Sequence, residues 1–467
     1  MKSNEIPGKK LVLVPKNKKI EPANKKIVQT DKKKVAADKK IIAADKKIVP
    51  ADKKIIPADK KIIPADKKIV PADKKIITAD KKIVPADKKI VPTDKKIVPV
   101  DKKIVPADKK IISPENFQLK IFQEINKLNI GINLMVSPLS IYHILSLTAN
   151  GAANKTLVEM LQTLSEKNLI ELNENNKKIS SSISKLKSIE LANAVFTRFK
   201  PLENFLKIIG EYKAKLDELK NAEQINKWCS DATHQKITKI IDNITGSDKM
   251  VLINAIYFKG IWQQPFDKEQ TKLDTFLNLN KQPKKVYYMN SKKKYDYFEN
   301  ANIQAISLNY SQDNLRALII LPKKKTDINN YINNFTSEKY DTITSQLVNK
   351  TVILSLPKFE INFDVELSKI FQSLGMKEAF SCNADFSSMK KEKDIKISRI
   401  IHKTFIKVDE KGTEAAAVTA VVMRCMCVLP TEPDPIMKID HPFLFIISSN
   451  DLPHGNDIIF ISKVESL

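Results

Sequence analysis

A seven-residue unit, with a proline in most copies, fills most of the first quarter of the chain. The unit Asp/Asn-Lys-Lys-Ile-Ile/Val-Pro-Ala begins at residue 17 and recurs at a strict period of seven as far as Asp108, which makes 14 copies. A period of seven with paired apolar residues is also the pattern of a coiled coil. Proline excludes that fold, because each proline inside a helix costs roughly 3 kcal/mol, against a few tenths for a favourable ion pair. The repeat therefore predicts an extended, polyproline-like or disordered tail over residues 1–113.

Charge separates this tail from the rest of the chain. Residues 1–113 carry 33 Lys and 14 acidic residues, a net charge of +19 out of +26 for the whole chain. The tail could tether anionic partners such as nucleic acid, acidic lipid or polyanionic glycan through this charge. No aromatic or Arg residue interleaves the lysines, so we favour a solvated extension with at most weak polyanion contact. We expect residues 114–467, which are long enough to bury a large core, to form the folded domain.

Cysteine content and the N-terminus bear on the compartment. The four cysteines, Cys229, Cys382, Cys425 and Cys427, are too few for a secreted disulfide framework and favour a reducing compartment. The apolar run at residues 11–14 is too short for a signal-peptide core, and no run of 18 apolar residues predicts a membrane span. Localisation stays open between a cytoplasmic protein and one released by a non-classical route.

Several segments after the tail have clear secondary-structure signatures. Residues 137–140, Ser-Pro-Leu-Ser, predict a helix start with proline in the first turn. Residues 251–259 and 315–321 read as buried strands, and residues 351–363 as one strand followed by a helix from near Asp364. This mixture predicts an α+β domain dominated by large, partly antiparallel sheets.

The segment from residue 410 to residue 420 is made almost entirely of small side chains. The period of two of a strand divides it into a uniformly small face, Thr413, Ala415, Ala417 and Thr419, and an opposite face, Glu414, Ala416 and Val418. The first face is too small for an ordinary buried strand, and the only charge among these residues lies opposite. The pattern suits a segment that is exposed in one state and packs into a sheet in another.

Five motifs, in order, carry a resemblance to a known family. They are Ser137-Pro-Leu-Ser-Ile, the segment 254–266 (Asn-Ala-Ile-Tyr-Phe-Lys-Gly-Ile-Trp-Gln-Gln-Pro-Phe), Leu356-Pro-Lys-Phe, the segment 400–417 that ends in Glu-Lys-Gly-Thr-Glu-Ala-Ala-Ala, and His441-Pro-Phe-Leu-Phe-Ile-Ile. Residues 114–467 resemble a serpin over their whole length. The resemblance implies three β-sheets, eight or nine helices and an exposed reactive-centre loop. The segment 205–226 is shorter than is usual in the family, which puts an edge strand of the main sheet in question.

The resemblance implies an inhibitor of serine proteases rather than an enzyme. In the family mechanism the protease cleaves the loop and is trapped as an acyl-enzyme while the cleaved loop inserts into the main sheet. The hinge that inserts would consist of Glu410, Gly412, Thr413, Glu414, Ala415, Ala416, Ala417, Val418 and Thr419. We expect a monomer that needs no cofactor.

The position of the reactive bond follows from the register usual in the family. Fourteen residues beyond Gly412 lies Met426, which makes Met426–Cys427 the favoured bond and an elastase-like or chymotrypsin-like protease the favoured target. Arg424–Cys425 is the alternative and would suit a trypsin-like protease. A cysteine protease target also stays open, because a reducing compartment holds such enzymes.

Five further residues resemble the elements that control sheet opening in this family. Ser137, Ser140, Asn254 and His402 match its polar cluster, and Trp262 matches the aromatic residue at the point where insertion begins. Without the resemblance, a buried histidine is more often an ordinary hydrogen-bonded core residue, and a buried tryptophan a plain core residue. We refer to these five residues as the sheet-opening cluster.

Other functional classes find little support in the sequence. Nine glycines build neither a phosphate-cradling loop nor a Gly-x-Ser-x-Gly nucleophile elbow. Cys425, Cys427 and His441 make a weak metal motif, because there is no second cysteine pair, and we predict no metal. The alternative function is that of a non-inhibitory binding or scaffold protein whose basic tail does the work, since a fold alone does not fix a function.

Overall fold

The computed structural model describes residues 114–324, 326–413, 433–452 and 455–467. The lysine-rich repeat lies outside the described residues, as do the hinge residues from Glu414 to Thr419 and both candidate reactive bonds. The predictions for these segments, and the domain boundary at residue 113, stay predictions.

Helices and strands are mixed throughout the described residues. Nine α-helices occur there: α1 (Pro114–Leu128), α2 (Pro138–Ala149), α3 (Asn154–Leu164), α4 (Leu169–Ile183), α5 (Glu203–Glu211), α6 (Ala222–Ala232), α7 (Ile328–Asn333), α8 (Ser337–Ser345) and α9 (Ser368–Ser373). The same residues form sixteen strands: β1 (Leu134–Val136), β2 (Ile189–Thr197), β3 (Lys215–Glu218), β4 (Met250–Phe258), β5 (Gly260–Ile261), β6 (Lys272–Leu277), β7 (Pro283–Glu299), β8 (Ile303–Asn309), β9 (Leu315–Pro322), β10 (Val348–Pro357), β11 (Phe359–Glu366), β12 (Arg399–Asp409), β13 (Gly412–Thr413), β14 (Ile436–Lys438), β15 (Phe443–Leu452) and β16 (Gly455–Val464). The predicted α+β class is confirmed.

Helix α2 begins where the sequence predicts. The Ser137 hydroxyl caps it by accepting a hydrogen bond from the Ser140 backbone N–H at 3.3 Å, and Pro138 takes the first helical position. All twelve residues of α2 are buried, which is the pattern of a helix surrounded by other elements. This central position brings polar residues of α2 up to the inner face of a sheet.

The predicted strands over residues 251–259 and 315–321 are confirmed as β4 and β9. The prediction of one strand over residues 351–363 is wrong, because β10 ends at Pro357 and β11 begins at Phe359. The two strands pair with different partners, β10 with β7 and β11 with β12, so the chain passes from one sheet to the other between them. The following helix, α9, begins at Ser368 rather than near residue 364.

Hydrogen bonding divides the described strands into two sheets rather than three. A nine-stranded sheet has the order β1-β16-β15-β9-β8-β7-β10-β14, with β6 on β7, and a seven-stranded main sheet contains β3-β2-β4-β12 with β11, β13 and β5. The 17-residue strand β7 pairs with β6 near its start and with β8 at its end. It thereby links β6 and β8 within one sheet, whereas the family resemblance predicted three sheets in all.

The main sheet is covered on both faces. On one face its side chains join the large core that contains α2 and the nine-stranded sheet, and on the other Val251 and Phe405 pack into a second core with Ile225 and Cys229 of α6. All nine residues of β4 are buried, as expected of a strand covered on both sides. The short segment 205–226 still supplies an edge strand, the four-residue β3, which pairs parallel with β2. Within the described part of the chain, no helix has the length and apolarity needed to cross a membrane.

Candidate functional site

A parallel seam runs through the middle of the main sheet. Strands β4 and β12 pair in parallel over seven residue pairs, from Val251–Arg399 to Tyr257–Phe405. The outer neighbours are antiparallel, since β2 pairs with β4 and β11 pairs with β12 in that sense. Parallel pairing is slightly less stable per residue than antiparallel pairing. We call the β4–β12 ladder the seam.

Two hinge residues, Gly412 and Thr413, already pair within the main sheet. After a turn at Glu410 and Lys411, Gly412 and Thr413 form β13, which runs back antiparallel along the end of β12. On its other side β13 pairs antiparallel with Gly260 and Ile261 of β5. Thr413 therefore lies in a strand between β12 and β5, just beyond the Tyr257–Phe405 pair. We call this end of the ladder the upper end of the seam.

Glycine at position 412 is required by a close backbone approach. Its φ of +151° lies in a region that other residues rarely adopt, and a Cβ atom there would lie 2.1 Å from the carbonyl oxygen of Gly260. A Cβ atom on Gly260 would in turn lie 2.5 Å from the Tyr310 ring. Two glycines thus let β13 and β5 approach each other beneath an aromatic ring.

Thr413 is anchored in the core by an aromatic pair. Its hydroxyl lies 2.9 Å from the Tyr310 hydroxyl, and the Tyr310 ring stacks on Trp262 with ring centroids 4.5 Å apart. The Trp262 indole N–H donates to the carbonyl of Asp409 at 3.0 Å, and its backbone N–H donates to the carbonyl of Lys411 at 2.9 Å. Trp262 therefore lies at the start of the hinge, with the turn that leads into β13, and has no hydrogen bond with the polar members of the sheet-opening cluster.

Glu410 is a buried residue of this turn, and its carboxylate holds the turn to residues that flank neighbouring strands. Its carboxylate accepts hydrogen bonds from the Lys358 ammonium at 2.9 and 3.0 Å and from the Thr271 hydroxyl at 2.9 Å. Burial alone would raise the pKa of the Glu410 carboxyl, but the hydrogen bonds from Lys358 and Thr271 outweigh it and leave the pKa below its usual value. The carboxylate is thus ionised and paired at neutral pH.

The four polar residues of the sheet-opening cluster meet beneath the seam. Asn254 and His402 are register partners across it, and His402 Nδ1 is hydrogen-bonded to Asn254 Oδ1. The same oxygen accepts from the Ser140 hydroxyl at 2.7 Å, and His402 Nε2 accepts from the Ser137 backbone N–H at 3.1 Å. All four residues are buried. The cluster therefore links both strands of the seam to the start of α2.

His402 is neutral in this environment. Burial lowers the pKa of His402 to about 3, because the closed interior offers no solvent to a charged ring. A backbone N–H can only donate, so Nε2 carries no proton and Nδ1 donates to Asn254. The hydrogen bond across the seam therefore has a fixed direction.

A family model described as Serpin (serine protease inhibitor) matches residues 113–467. This chain is a serpin.

The named relatives support the assignment over the whole folded part. The leukocyte elastase inhibitor of Xenopus laevis is 33% identical over 375 residues, which cover 75% of this chain and 97% of that protein. The crystal structure of the thermophilic serpin tengpin in its native state matches with a TM-score of 0.68 at 31% identity, covering 79% of this chain and 96% of the other. The crystal structure of human thyroxine-binding globulin complexed with thyroxine matches with a TM-score of 0.69 at 27% identity, covering 76% of this chain and 98% of the other.

Sequence reasoning missed three residues of this serpin's site. Asn193 on β2 accepts a hydrogen bond from Asn254, Tyr310 meets Thr413, and Lys358 pairs with Glu410. Asn193 carried a usable signal, since it is a lone amide inside the apolar run of β2. The other two partners depend on tertiary contacts, which no local pattern announces.

The cysteines and His441 add no second site among the described residues. Burial raises the pKa of the Cys229 thiol to about 12, which makes it unreactive, and Cys382 is exposed. His441 uses both ring nitrogens within the fold, Nδ1 with Asp440 at 2.7 Å and Nε2 with the Pro322 carbonyl at 2.6 Å. The described ranges contain no group of three or more His, Cys, Asp or Glu residues placed to bind a metal ion.

Proposed function

We propose that this serpin inhibits serine proteases as a suicide substrate, by inserting its cleaved loop into the seam. The observation that carries the proposal is the position of Gly412 and Thr413, which run antiparallel between β12 and β5 at the upper end of the seam. A strand that continued in this direction would separate β4 from β12 and pair with both. One parallel ladder would then give way to two antiparallel ladders.

The side chains that follow suit this path. Thr413 is fully buried, and the period of two of a strand would turn Ala415, Ala417 and Thr419 to the same inner face. Glu414 would face outward. Small side chains on the inner face would enter the packed core without displacing the residues that line it.

The chemistry belongs to the target enzyme. Its serine oxygen attacks the carbonyl carbon of Met426, the Met426–Cys427 peptide bond breaks, and the enzyme's histidine passes a proton to the departing Cys427 amine. Met426 stays attached to the enzyme as an ester. After the cut, the hinge is attached to the sheet through Gly412 and Thr413. The freed segment can then insert before water hydrolyses the ester.

Insertion releases enough free energy to be irreversible on the timescale of ester hydrolysis. Serpin loop insertion is itself a standard example of strand addition to a sheet. A dozen or so new backbone hydrogen bonds would contribute on the order of 10 kcal/mol. The uncleaved protein is therefore held by a kinetic barrier rather than by equilibrium.

Methionine before the bond suits proteases with an apolar primary pocket, and similarity to a leukocyte elastase inhibitor supports an elastase-like target. The test is incubation with an elastase, a chymotrypsin, a trypsin and a cathepsin, followed by denaturing electrophoresis and mass spectrometry of the cut. We expect a denaturant-resistant complex with elastase or chymotrypsin, cut after Met426. A trypsin complex cut after Arg424 would move the reactive bond. Cleavage without any complex would contradict inhibition and favour the non-inhibitory binding role.

A pair of variants separates insertion from recognition. We expect Ala415→Arg to turn the inhibitor into a substrate, because an inner-face arginine blocks entry into the core. We expect the same of Thr413→Arg, because Thr413 is already buried there and an arginine would displace β13. Ala416→Arg is the matched control, since the same side chain on the outer face is compatible with insertion. Equal complex formation by Ala415→Arg and Ala416→Arg would contradict the proposed register.

A further inference from the structure

The polar network beneath the seam continues beyond the sheet-opening cluster. The Asn254 amide nitrogen donates to Asn193 Oδ1 on β2, and Asn193 Nδ2 lies 3.0 Å from His143 Nδ1 on α2. His143 Nε2 lies 2.9 Å from the hydroxyl of Ser180 on α4. Asn193 and His143 are both buried. We call the series His402, Asn254, Asn193, His143 and Ser180 the hydrogen-bond chain.

The direction of the hydrogen-bond chain, from donor to acceptor, is set at His402. His402 donates from Nδ1 to Asn254 Oδ1, so the Asn254 amide nitrogen points to the next member, Asn193. Asn193 accepts with its oxygen and must donate with its nitrogen to His143. His143 Nδ1 therefore carries no proton, and Nε2–H donates to Ser180. The two histidines are neutral and have opposite tautomers.

A proton added to His143 Nδ1 would be incompatible with this arrangement of donors and acceptors. The new N–H would face the Asn193 amide nitrogen, so two donors would meet in a buried place. Rotation of the Asn193 amide would bring its nitrogen against that of Asn254. Rotation of Asn254 would then bring a donor against His402 Nδ1–H, which lies at the seam. The bond that crosses the seam thus depends on an uncharged His143.

Among the residues that the structure describes, the contacts of the His143 ring include no charge that would compensate a positive one. The ring faces Ser180 from α4, Asn193 from β2 and the Tyr212 ring, which follows α5, with centroids 5.1 Å apart. Of these groups only Tyr212 titrates, and burial raises the pKa of its phenol, so it stays neutral. Burial likewise lowers the pKa of His143 to about 4.

We propose that His143 is a positioning residue for loop insertion, which holds the seam closed when neutral and favours its opening when protonated. The inference rests on the proposed function, because it concerns the opening of the same seam. When β4 leaves β12, the amides are released from His402 and can rotate to accept the proton. Burial is what lowers the pKa of His143, so opening must also admit water to the ring; a pKa that returned from about 4 to 6.5 would favour the open seam by up to about 20-fold between pH 7 and pH 5.

Uptake of a synthetic peptide tests this without any protease. The probe is an N-acetylated peptide of residues 413–426, added in excess to the full chain at pH 7, 6 and 5, with uptake followed by native electrophoresis. We expect the wild-type rate to rise up to about 20-fold from pH 7 to pH 5. His143→Gln offers an acceptor to Asn193 and a donor to Ser180 but does not titrate, so its ratio of rates should be smaller than that of the wild type, with His402 as the remaining buried ring that titrates on opening. The matched control, His234→Gln, changes an exposed histidine on the surface and should keep the wild-type ratio.

A second variant keeps the test independent of how well His143→Gln folds. Ser180→Ala removes only the acceptor of His143 Nε2–H, and we expect uptake at pH 7 to become about fivefold faster because the required tautomer loses its partner. Equal ratios of rates in the wild type and His143→Gln, with unchanged uptake by Ser180→Ala, would overturn the role of His143 while leaving the proposed function intact. Absence of uptake by the wild type at every pH would overturn both.

Discussion

The hydroxyl of Thr413 lies 2.9 Å from the hydroxyl of Tyr310, and both side chains are buried. Tyr310 also stacks on Trp262, which donates hydrogen bonds to the carbonyl groups of Asp409 and Lys411 at the turn before β13. The start of the hinge is therefore held by side-chain contacts as well as by its strand pairing.

Removing the Tyr310 hydroxyl should weaken the contact that holds Thr413 in place. In Tyr310→Phe the Thr413 hydroxyl loses its partner in a buried place, which costs about 1–3 kcal/mol. We expect a lower urea midpoint and faster hydrogen exchange at the backbone amides of Gly412 and Thr413. Adding Thr413→Val removes both polar groups and should restore most of the midpoint. Unchanged amide exchange in Tyr310→Phe would show that the hydroxyl pair does not hold β13.

A methyl group at position 412 should disturb the same strand. Gly412→Ala places its Cβ about 2.1 Å from the Gly260 carbonyl oxygen, a backbone atom that cannot move aside freely. We expect a loss of at least about 1 kcal/mol in the free energy of unfolding. Gly210→Ala is the control, because its Cβ meets nothing within 4 Å near the end of α5, and it should stabilise by about 0.5–1 kcal/mol. Chemical denaturation followed by circular dichroism distinguishes the two outcomes.

Breaking the Glu410 ion pair should weaken the turn in a pH-dependent way. Lys358→Met leaves a buried carboxylate with Thr271 as its side-chain partner, and we expect a loss of about 1–3 kcal/mol at pH 7. The pKa of Glu410 is lowered in the fold, so the contribution of the pair is present above the ordinary glutamate pKa and is lost as the pH falls below it. The difference between wild type and variant should therefore shrink in acid. Lys292→Met removes a more exposed pair with Asp434 and should cost less than about 1 kcal/mol.

The two buried histidines should make stability fall in mild acid. Their pKa values are lowered to about 4 for His143 and about 3 for His402, so the unfolded chain binds more protons below pH 6.5. Stability is complete above the ordinary histidine pKa and declines toward pH 5, by up to about 1.4 kcal/mol per pH unit for each ring. Urea midpoints at pH 7, 6 and 5 measure this slope. We expect it to be shallower in a His143→Gln, His402→Gln double variant, and a slope equal to that of the wild type would contradict the assignment.

Much of the fold could be predicted from local patterns. Ser137 and Pro138 mark the start of α2 because a cap and a first-turn proline act within one helical turn. The apolar runs of β4 and β9 are long enough to identify as buried strands. The break between β10 and β11 could not be predicted from periodicity, because both strands are apolar and only their different partners separate them.

The site was predictable where its residues match a family motif. Ser137, Ser140, Asn254 and His402 meet as a group, whereas Trp262 lies apart from them at the hinge. The extension through His143 was not predictable, because its partners come from three elements far apart in sequence. A histidine in an apolar helix gives no sign of what it contacts.

The parallel pairing of β4 with β12 sets a limit on how far this protein can be stabilised by substitution. Under the proposed function, changes that tighten the seam would lengthen the life of the uncleaved protein, yet they would also slow strand entry and give a bound protease time to escape. Selection for durability and selection for fast insertion would then act on the same seven residue pairs in opposite directions. A variant library sorted for heat resistance alone should therefore accumulate long-lived proteins that proteases digest.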